Sequence, residues 1–329
     1  MSIIKVENLT KIYGDFFALN NVSFSVEQGE IFGFLGPNGA GKTTTIMILI
    51  TLLKPSKGRA FVAGYDVVKE PSKVRANIGY VSQDITVDDY LTGRENLKFQ
   101  AHLYNLNNEN KRIEEILNLV DLSDRADEPV ALYSAGMKRR LDIACGLINT
   151  PKVLFLDEPT LGLDAQTKRR IWDYIKRLKN ELGITIFLTT HYMEEADILC
   201  NRVAIIDRGE IKALDKPSIL KGHIGDEVIN LKLEYLSEAF MDSLKKLQGI
   251  KEVKFHDTLC SIKAKGAEGL IPKIFELASI HKVKVESLSS KKPTLEDVFL
   301  AYTGRGLRDI LSDKEKGKIF GKRMRRFRY

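Results

Sequence analysis

The residues most able to do chemistry lie in one short run. Gly36-Pro37-Asn38-Gly39-Ala40-Gly41-Lys42-Thr43 fits the pattern GxxxxGK[ST], with Thr44 next in the chain. Glycines let backbone N–H groups curl around phosphate oxygens, and a helix opening at the lysine adds positive potential there. Lys42 would supply a point charge for β- and γ-phosphates, and Thr43 a hydroxyl for Mg²⁺. A second run, Val153-Leu154-Phe155-Leu156-Asp157-Glu158, is an apolar stretch ending in two acids. A strand of that kind delivers Asp157 to the carboxyl edge of a sheet, where it can hold Mg²⁺ through water, and places Glu158 to polarise an attacking water. Together the two runs spell nucleoside-triphosphate hydrolysis.

Elements of matching type must position them. Ile31–Leu35, Val153–Leu156, Ile184–Thr189 and Val203–Ile206 read as near-continuous apolar strands. They alternate with helical patterns over Lys42–Leu53, Lys111–Val120, Gly136–Ile148 and Gln166–Leu182, which predicts an α/β sheet covered on both faces. The opening segments, Ile3–Leu9 and Val22–Val26, alternate as antiparallel strands do. Pro217, Gly222 and Gly225 punctuate the chain near 218–226, so domains are expected at 1–220 and 221–308. The second reads strand Val228–Tyr235, helix Ser237–Leu247, strands Lys251–His256 and Leu259–Ala264, helix Glu268–Ile280, strand Val283–Leu288. That βαββαβ order fits a small α+β, ferredoxin-like domain, and Pro293 then opens a short helix.

Composition narrows the function. The formal net charge of +7 resides in residues 314–329, which hold eight Lys or Arg and one acid, so the rest of the 329 residues is neutral. A nucleic-acid-binding main body is therefore not expected. The segment 309–329 reads as a basic, disordered tail. With Phe320, Phe327 and Tyr329 interleaved it suits an anionic membrane surface; a solvated tail aiding solubility and an RNA-binding one fit the same residues. Cys145, Cys200 and Cys260 are dispersed and odd in number, against a disulfide framework or a zinc site. No run approaches the roughly 18 apolar residues of a membrane span, and Met1–Asn8 lacks a signal-peptide core. A soluble polypeptide is expected, with any pore supplied by another chain.

Further motifs identify a family. Tyr133-Ser134-Ala135-Gly136-Met137-Lys138-Arg139-Arg140, just upstream of the acidic strand, resembles the signature of the ABC ATPases. Pro159-Thr160-Leu161-Gly162-Leu163-Asp164 is similar to their D-loop, His191 in Thr189-Thr190-His191 to their switch histidine, and Gln83 in Gly79-Tyr80-Val81-Ser82-Gln83 to their Q-loop glutamine. Tyr13 stands where that family stacks an aromatic ring on adenine. The wording YSxGMKRRL, THYMEEAD and Pro293-Thr294-Leu295-Glu296-Asp297-Val298-Phe299 is similar to the DrrA-like ATPases of drug and antibiotic exporters.

The resemblance implies a P-loop ABC cassette with a mixed sheet and a helical subdomain. It implies ATP and Mg²⁺ as ligands, Thr43, Gln83 and Asp157 at the metal, and Glu158, Gln83 and His191 in hydrolysis. It also implies a second cassette, paired head to tail, whose Ser134 and Gly136 complete the site. The further partner is a separate integral-membrane permease, with the subunit peripheral at the cytoplasmic face of the cell membrane. ABC ATPases of DNA repair, chromosome organisation or translation, or of a cytoskeletal or division complex, are the rival readings. Only Thr44 to Leu132 intervene between loop and signature, too few for a long coiled coil, and there is one cassette. Ala135 departs from the family's two adjacent glycines. Its methyl would be harmful where φ must be positive and harmless where φ is helical. Lys138, Arg139 and Arg140 read as a solvated helix face.

Overall fold

The computed structural model describes residues 2–304 apart from 226, 236, 257 and 265. The basic tail and its membrane-surface reading thus lie outside the described residues. The elements run β1 (Ser2–Tyr13), β2 (Phe16–Glu27), β3 (Ile31–Leu35), α1 (Lys42–Leu49), β4 (Lys57–Val62), β5 (Tyr65–Asp66), α2 (Pro71–Ala76) and β6 (Ile78–Val81). Then come α3 (Gly93–Leu103), α4 (Glu109–Leu119), α5 (Ala135–Leu147), β7 (Val153–Asp157), α6 (Ala165–Leu182), β8 (Thr185–Thr190), α7 (Met193–Leu199), β9 (Arg202–Asp207) and β10 (Glu210–Asp215). The chain continues with α8 (Pro217–Ile224), β11 (Glu227–Leu233), α9 (Glu238–Lys245), β12 (Ile250–His256), β13 (Leu259–Ala264), α10 (Ala267–Ile280), β14 (Val285–Lys291) and α11 (Leu295–Thr303). Two compact units result, one of residues up to Pro217, the other Ser218–Ala301.

In the first unit β3, β6, β7, β8 and β9 are parallel and β10 is antiparallel on β9, in the order β10-β9-β3-β8-β7-β6. The sheet is therefore mixed. Every residue of β3, β7 and β8 is buried, which explains their apolar runs: both faces are covered and no position alternates with water. A separate antiparallel sheet, β2-β1-β4-β5, packs with α1 over one face. The centre of that core is aromatic. The ring centroid of Phe187 lies 5.5 Å from Phe155, 5.6 Å from Phe34, 5.7 Å from Phe32 and 6.0 Å from Phe24. Helix α1 stops at Leu49, short of the expected Leu53, because Thr51 takes a left-handed φ of 71°.

The helical arm α3–α5 is built on strong local signals. Thr92 caps α3 and accepts from the Glu95 N–H, while the Glu95 side chain accepts from the Thr92 N–H, a closed capping box. Helix α6 carries Ile171, Trp172, Tyr174, Ile175 and Leu178 inward, the stripe of an amphipathic helix.

The second unit has the strand order β12-β13-β11-β14, all neighbours antiparallel, as a ferredoxin-like βαββαβ domain requires. Its own core joins Ile229, Leu231 and Leu233 to Phe240, Leu244, Ile262 and Ile274. Among the described residues no helix is long and apolar enough to cross a membrane.

Phe187→Ala is expected to lower the stability of the first unit by about 3–5 kcal/mol, the cost of deleting a central ring. Chemical denaturation measures it, and a loss below about 1 kcal/mol would show that the ring cluster is not the centre of the core.

Candidate active site

Four adjacent strand ends build the site. In the sheet order β3-β8-β7-β6, β3 leads into the phosphate loop, β8 into His191, β7 ends on Asp157 and Glu158, and β6 leads into Gln83. All four strands are parallel, so their carboxyl ends open on one edge.

The loop after β3 is shaped by close approach. A Cβ on Gly36 would stand 2.2 Å from the Ile206 carbonyl oxygen, so only glycine fits there. Gly41, which caps α1, has φ 109° and passes so near Ala18 that a Cβ would meet its carbonyl at 2.7 Å. The Gly36 N–H donates to the Thr190 carbonyl at 3.2 Å, tying the loop to β8. Lys42 follows as the first residue of α1 and is only 4% exposed. Its Nζ donates to the carbonyls of Gly36 (2.8 Å) and Pro37 (3.2 Å) and pairs with Glu158 Oε1 at 3.0 Å.

Register delivers the acids. Asp157 on β7 lies beside Thr189 on β8. The Thr189 hydroxyl donates to Asp157 Oδ1 and accepts from the Glu158 N–H at 3.1 Å, and that N–H also donates to the Thr189 carbonyl at 3.1 Å. Two bonds thus hold Glu158 in a left-handed φ of 48°, a strained value for a residue with a Cβ. Burial pushes the Asp157 carboxyl up, against hydrogen bonds from Thr189 and Thr43. Burial acts upward on Glu158 too, but His191 and Lys42 outweigh it and hold that carboxyl below the usual range. His191 Nδ1 is 2.8 Å from Glu158 Oε2, and its ring packs against Tyr192 at a 41° tilt with centroids 4.1 Å apart. Lys168 Nζ lies over the Tyr192 ring, 3.6 Å from its centroid.

Tyr13, Asn38, Gly39, Gly41, Lys42, Thr43, Thr44, Gln83 and Glu158 line one cleft of about 390 Å³. Asp157 and His191 join it through their bonds to Thr43 and Glu158. Pro37 and Ala40 belong to the turn itself, where the Ala40 N–H donates to the Pro37 carbonyl at 3.1 Å. Ser134 and Gly136 are elsewhere: they line a cleft between α5 and α6 with Met137, Thr167 and Tyr174. Ser134 is the N-cap of α5, its side chain accepting from the Met137 N–H at 3.3 Å. Ala135 is the first helical residue and is absent from the positive-φ positions, so its methyl carries no backbone strain.

Three contributors were not legible in advance. Phe16 lines the nucleotide cleft because it pairs across the β1–β2 hairpin with Tyr13, both rings on one face; the Gly14-Asp15 turn between them was the signal. Thr189 acquires its role only from strand register. Arg139 corrects the reading of residues 138–140 as a solvated face. It is 2% exposed and donates to the carbonyls of Ser82 (2.8 Å) and Gln83 (2.6 Å), since α5 turns that side chain toward the loop after β6.

A glycine-rich loop, an acidic strand end, a glutamine-bearing loop and a histidine bonded to the acid on one parallel edge, beside a helical arm, define a P-loop ATPase cassette. Comparison with known proteins agrees. Residues 19–161 match the ABC transporter family and 216–303 the C-terminal domain of DrrA1-3-like ATP-binding proteins. The linearmycin resistance ATP-binding protein LnrL of Bacillus subtilis is 38% identical over 93% of this chain and all of its own length. The doxorubicin resistance ATP-binding protein DrrA of Mycobacterium tuberculosis is 39% identical over 91% of this chain and 93% of its own. Among solved structures, a dimeric ATP-binding cassette in a post-hydrolysis state with ADP and Pi is similar at TM-score 0.58 and 29% identity, covering 65% of this chain and 98% of that one. CbiO1 of Clostridium perfringens, part of an ABC transporter complex, is similar at TM-score 0.63 and 31% identity, covering 67% and 91%. The chain belongs to the ABC transporter ATP-binding family and is an ATP-binding, ATP-hydrolysing transport subunit. Such subunits dimerise and work with membrane permeases.

The lowered Glu158 carboxyl has a pH consequence. A depressed folded value contributes stability that is complete above the unfolded value of about 4.3 and is lost as pH falls through the folded one. The stability difference between wild type and Glu158→Gln, from denaturation at stepped pH without nucleotide, should shrink as pH falls below about 4. A difference that stays constant down to pH 3 would contradict the bonding to Lys42 and His191.

Proposed function

We propose that this chain powers outward transport of small molecules by ATP-driven pairing of two cassettes beside a separate membrane permease, peripherally at the cytoplasmic face. What carries the reading is the gathering of Lys42, Thr43, Gln83 and Glu158 on one cleft, with Asp157 bonded to Thr43, while Ser134 and Gly136 face another. On this reading a single chain carries the two complementary halves of a site apart from one another. The relatives named for linearmycin and doxorubicin resistance, and a 35% identical Nod factor export ATP-binding protein of Cupriavidus metallidurans, support the outward direction.

In this mechanism the backbone N–H groups of residues 36–44 and the N-terminus of α1 hold the phosphates, and Tyr13 stacks on adenine. Lys42 exchanges its Glu158 contact for the γ-phosphate, freeing the carboxylate to take a proton from water. His191, bonded to that carboxylate, orients it. The donor set of a buried Asp157 carboxylate, the Thr43 hydroxyl and the Gln83 amide oxygen is all oxygen, as Mg²⁺ prefers. Bound there, Mg²⁺ would neutralise charge on the phosphate oxygens. The partner's Ser134 hydroxyl and the N–H groups opening its α5 complete the γ-phosphate contacts, so hydrolysis releases the bridge between the two chains.

Glu158→Gln should keep ATP binding and lower turnover by about 10²–10⁴, the scale of losing a positioned base. Steady-state hydrolysis by the purified variant checks this, and wild-type turnover would remove Glu158 from the role. Ser134→Arg, placed in the Glu158→Gln background, should leave nucleotide binding to the monomer within about two-fold and abolish the ATP-induced dimer seen by size-exclusion chromatography. A normal ATP-bound dimer from that variant would refute the shared site.

A further inference from the structure

The loop that brings Gln83 to the nucleotide cleft is fastened at both ends to the helix that starts at the signature. At one end Arg139 on α5 donates through Nη1 to the Ser82 carbonyl (2.8 Å) and through Nη2 to the Gln83 carbonyl (2.6 Å). At the other, Asp142 Oδ1 accepts from the Thr86 hydroxyl (2.7 Å) and the Thr86 N–H (3.3 Å). Arg139 Nη1 and Asp142 Oδ2 close the clamp at 3.2 Å, with the two residues 2% and 3% exposed. Charges are buried in this way only where they are paired and hydrogen-bonded. The planar guanidinium is the one cationic side chain whose fork reaches two successive carbonyls and a carboxylate at once. The same helix presents Ser134 and Gly136 at its N-terminus, into the cleft between α5 and α6.

We infer that Arg139, braced by Asp142, is a positioning residue for Gln83, holding the glutamine in register with the helix that carries Ser134 and Gly136. This rests on the reading that Gln83 serves the nucleotide of its own chain and Ser134 that of the partner. The clamp thereby ties the position of the Gln83 backbone to that of α5. The Arg139 contacts are made with carbonyl oxygens, so the coupling is indifferent to the side chains of Ser82 and Gln83 and acts on where the backbone lies.

A double-mutant cycle tests the assignment in the full-length chain. Arg139→Met with Asp142→Leu replaces the pair by apolar side chains of similar volume, a change that buried ion pairs commonly tolerate. MgATP hydrolysis is measured with and without these substitutions in wild-type and Gln83→Ala backgrounds, with thermal melting as the check of folding. In the wild-type background kcat should fall on the order of ten- to a hundred-fold, the effect of a misplaced group, with KM changed by less than about two-fold. In the Gln83→Ala background the same substitutions should change kcat by less than about two-fold, because residues acting as one unit are not additive. Thr86→Val, which deletes one bond to Asp142, runs the same cycle with a smaller amplitude and decides the matter should the double variant not fold. Equal losses in both backgrounds, a loss confined to KM, or no loss in the wild-type background would overturn the inference and leave the shared-site reading standing. Gln83→Ala hydrolysing at the wild-type rate would instead remove the role of Gln83 on which both depend, an outcome the Ser134→Arg dimerisation result does not share.

Discussion

A buried ammonium group organises this molecule. Lys42 sits almost entirely inside the first unit, and a cation there must be surrounded by acceptors or the fold loses several kcal/mol. The acceptors come from different parts of the chain. Two are carbonyls of the turn before it, and another is Glu158, more than a hundred residues later. Glu158 in turn is held in a left-handed backbone conformation by Thr189 and bonded on its other oxygen to His191. The phosphate loop, the acidic strand and His191 thus form one continuous chain of polar contacts. In this structure the ammonium neutralises the Glu158 carboxylate directly.

That arrangement depends on the sheet. Chain order is β3, β6, β7, β8, whereas spatial order is β3, β8, β7, β6. The interleaving sets His191 between the phosphate loop and the acids, and leaves Gln83 on the far side of Asp157. Burial on both faces makes the strands rigid supports. The aromatic packing around Phe187 fills the space beneath the edge that carries the site.

The helical arm stands in a different relation to the nucleotide. Its α5 sends the signature residues to one cleft and Arg139 and Asp142 back to the loop of the other. Ala135, which departs from the family pattern, is accommodated because the turn is made at Ser134 and the helix has already begun.

Much of this could be read from residue types in order. The phosphate loop, the acid pair, the histidine and glutamine motifs and the βαββαβ pattern of the second unit are local signals, set by which side chains follow which. Their chemistry is intrinsic: glycines that tolerate close approach, a lysine at a helix start, two acids at the end of an apolar strand. Tertiary structure decided what adjacency in the chain does not encode. Strand register made Thr189 the residue that orients both acids, and a hairpin turn set Phe16 beside Tyr13. The direction in which α5 packs turned Arg139 from water to the Gln83 loop, although its neighbours Lys138 and Arg140 remain partly open. The reason is physical. Periodicity says which face of a helix is apolar, whereas a buried guanidinium is decided by where distant carbonyls lie, and those are placed only when the sheet has assembled.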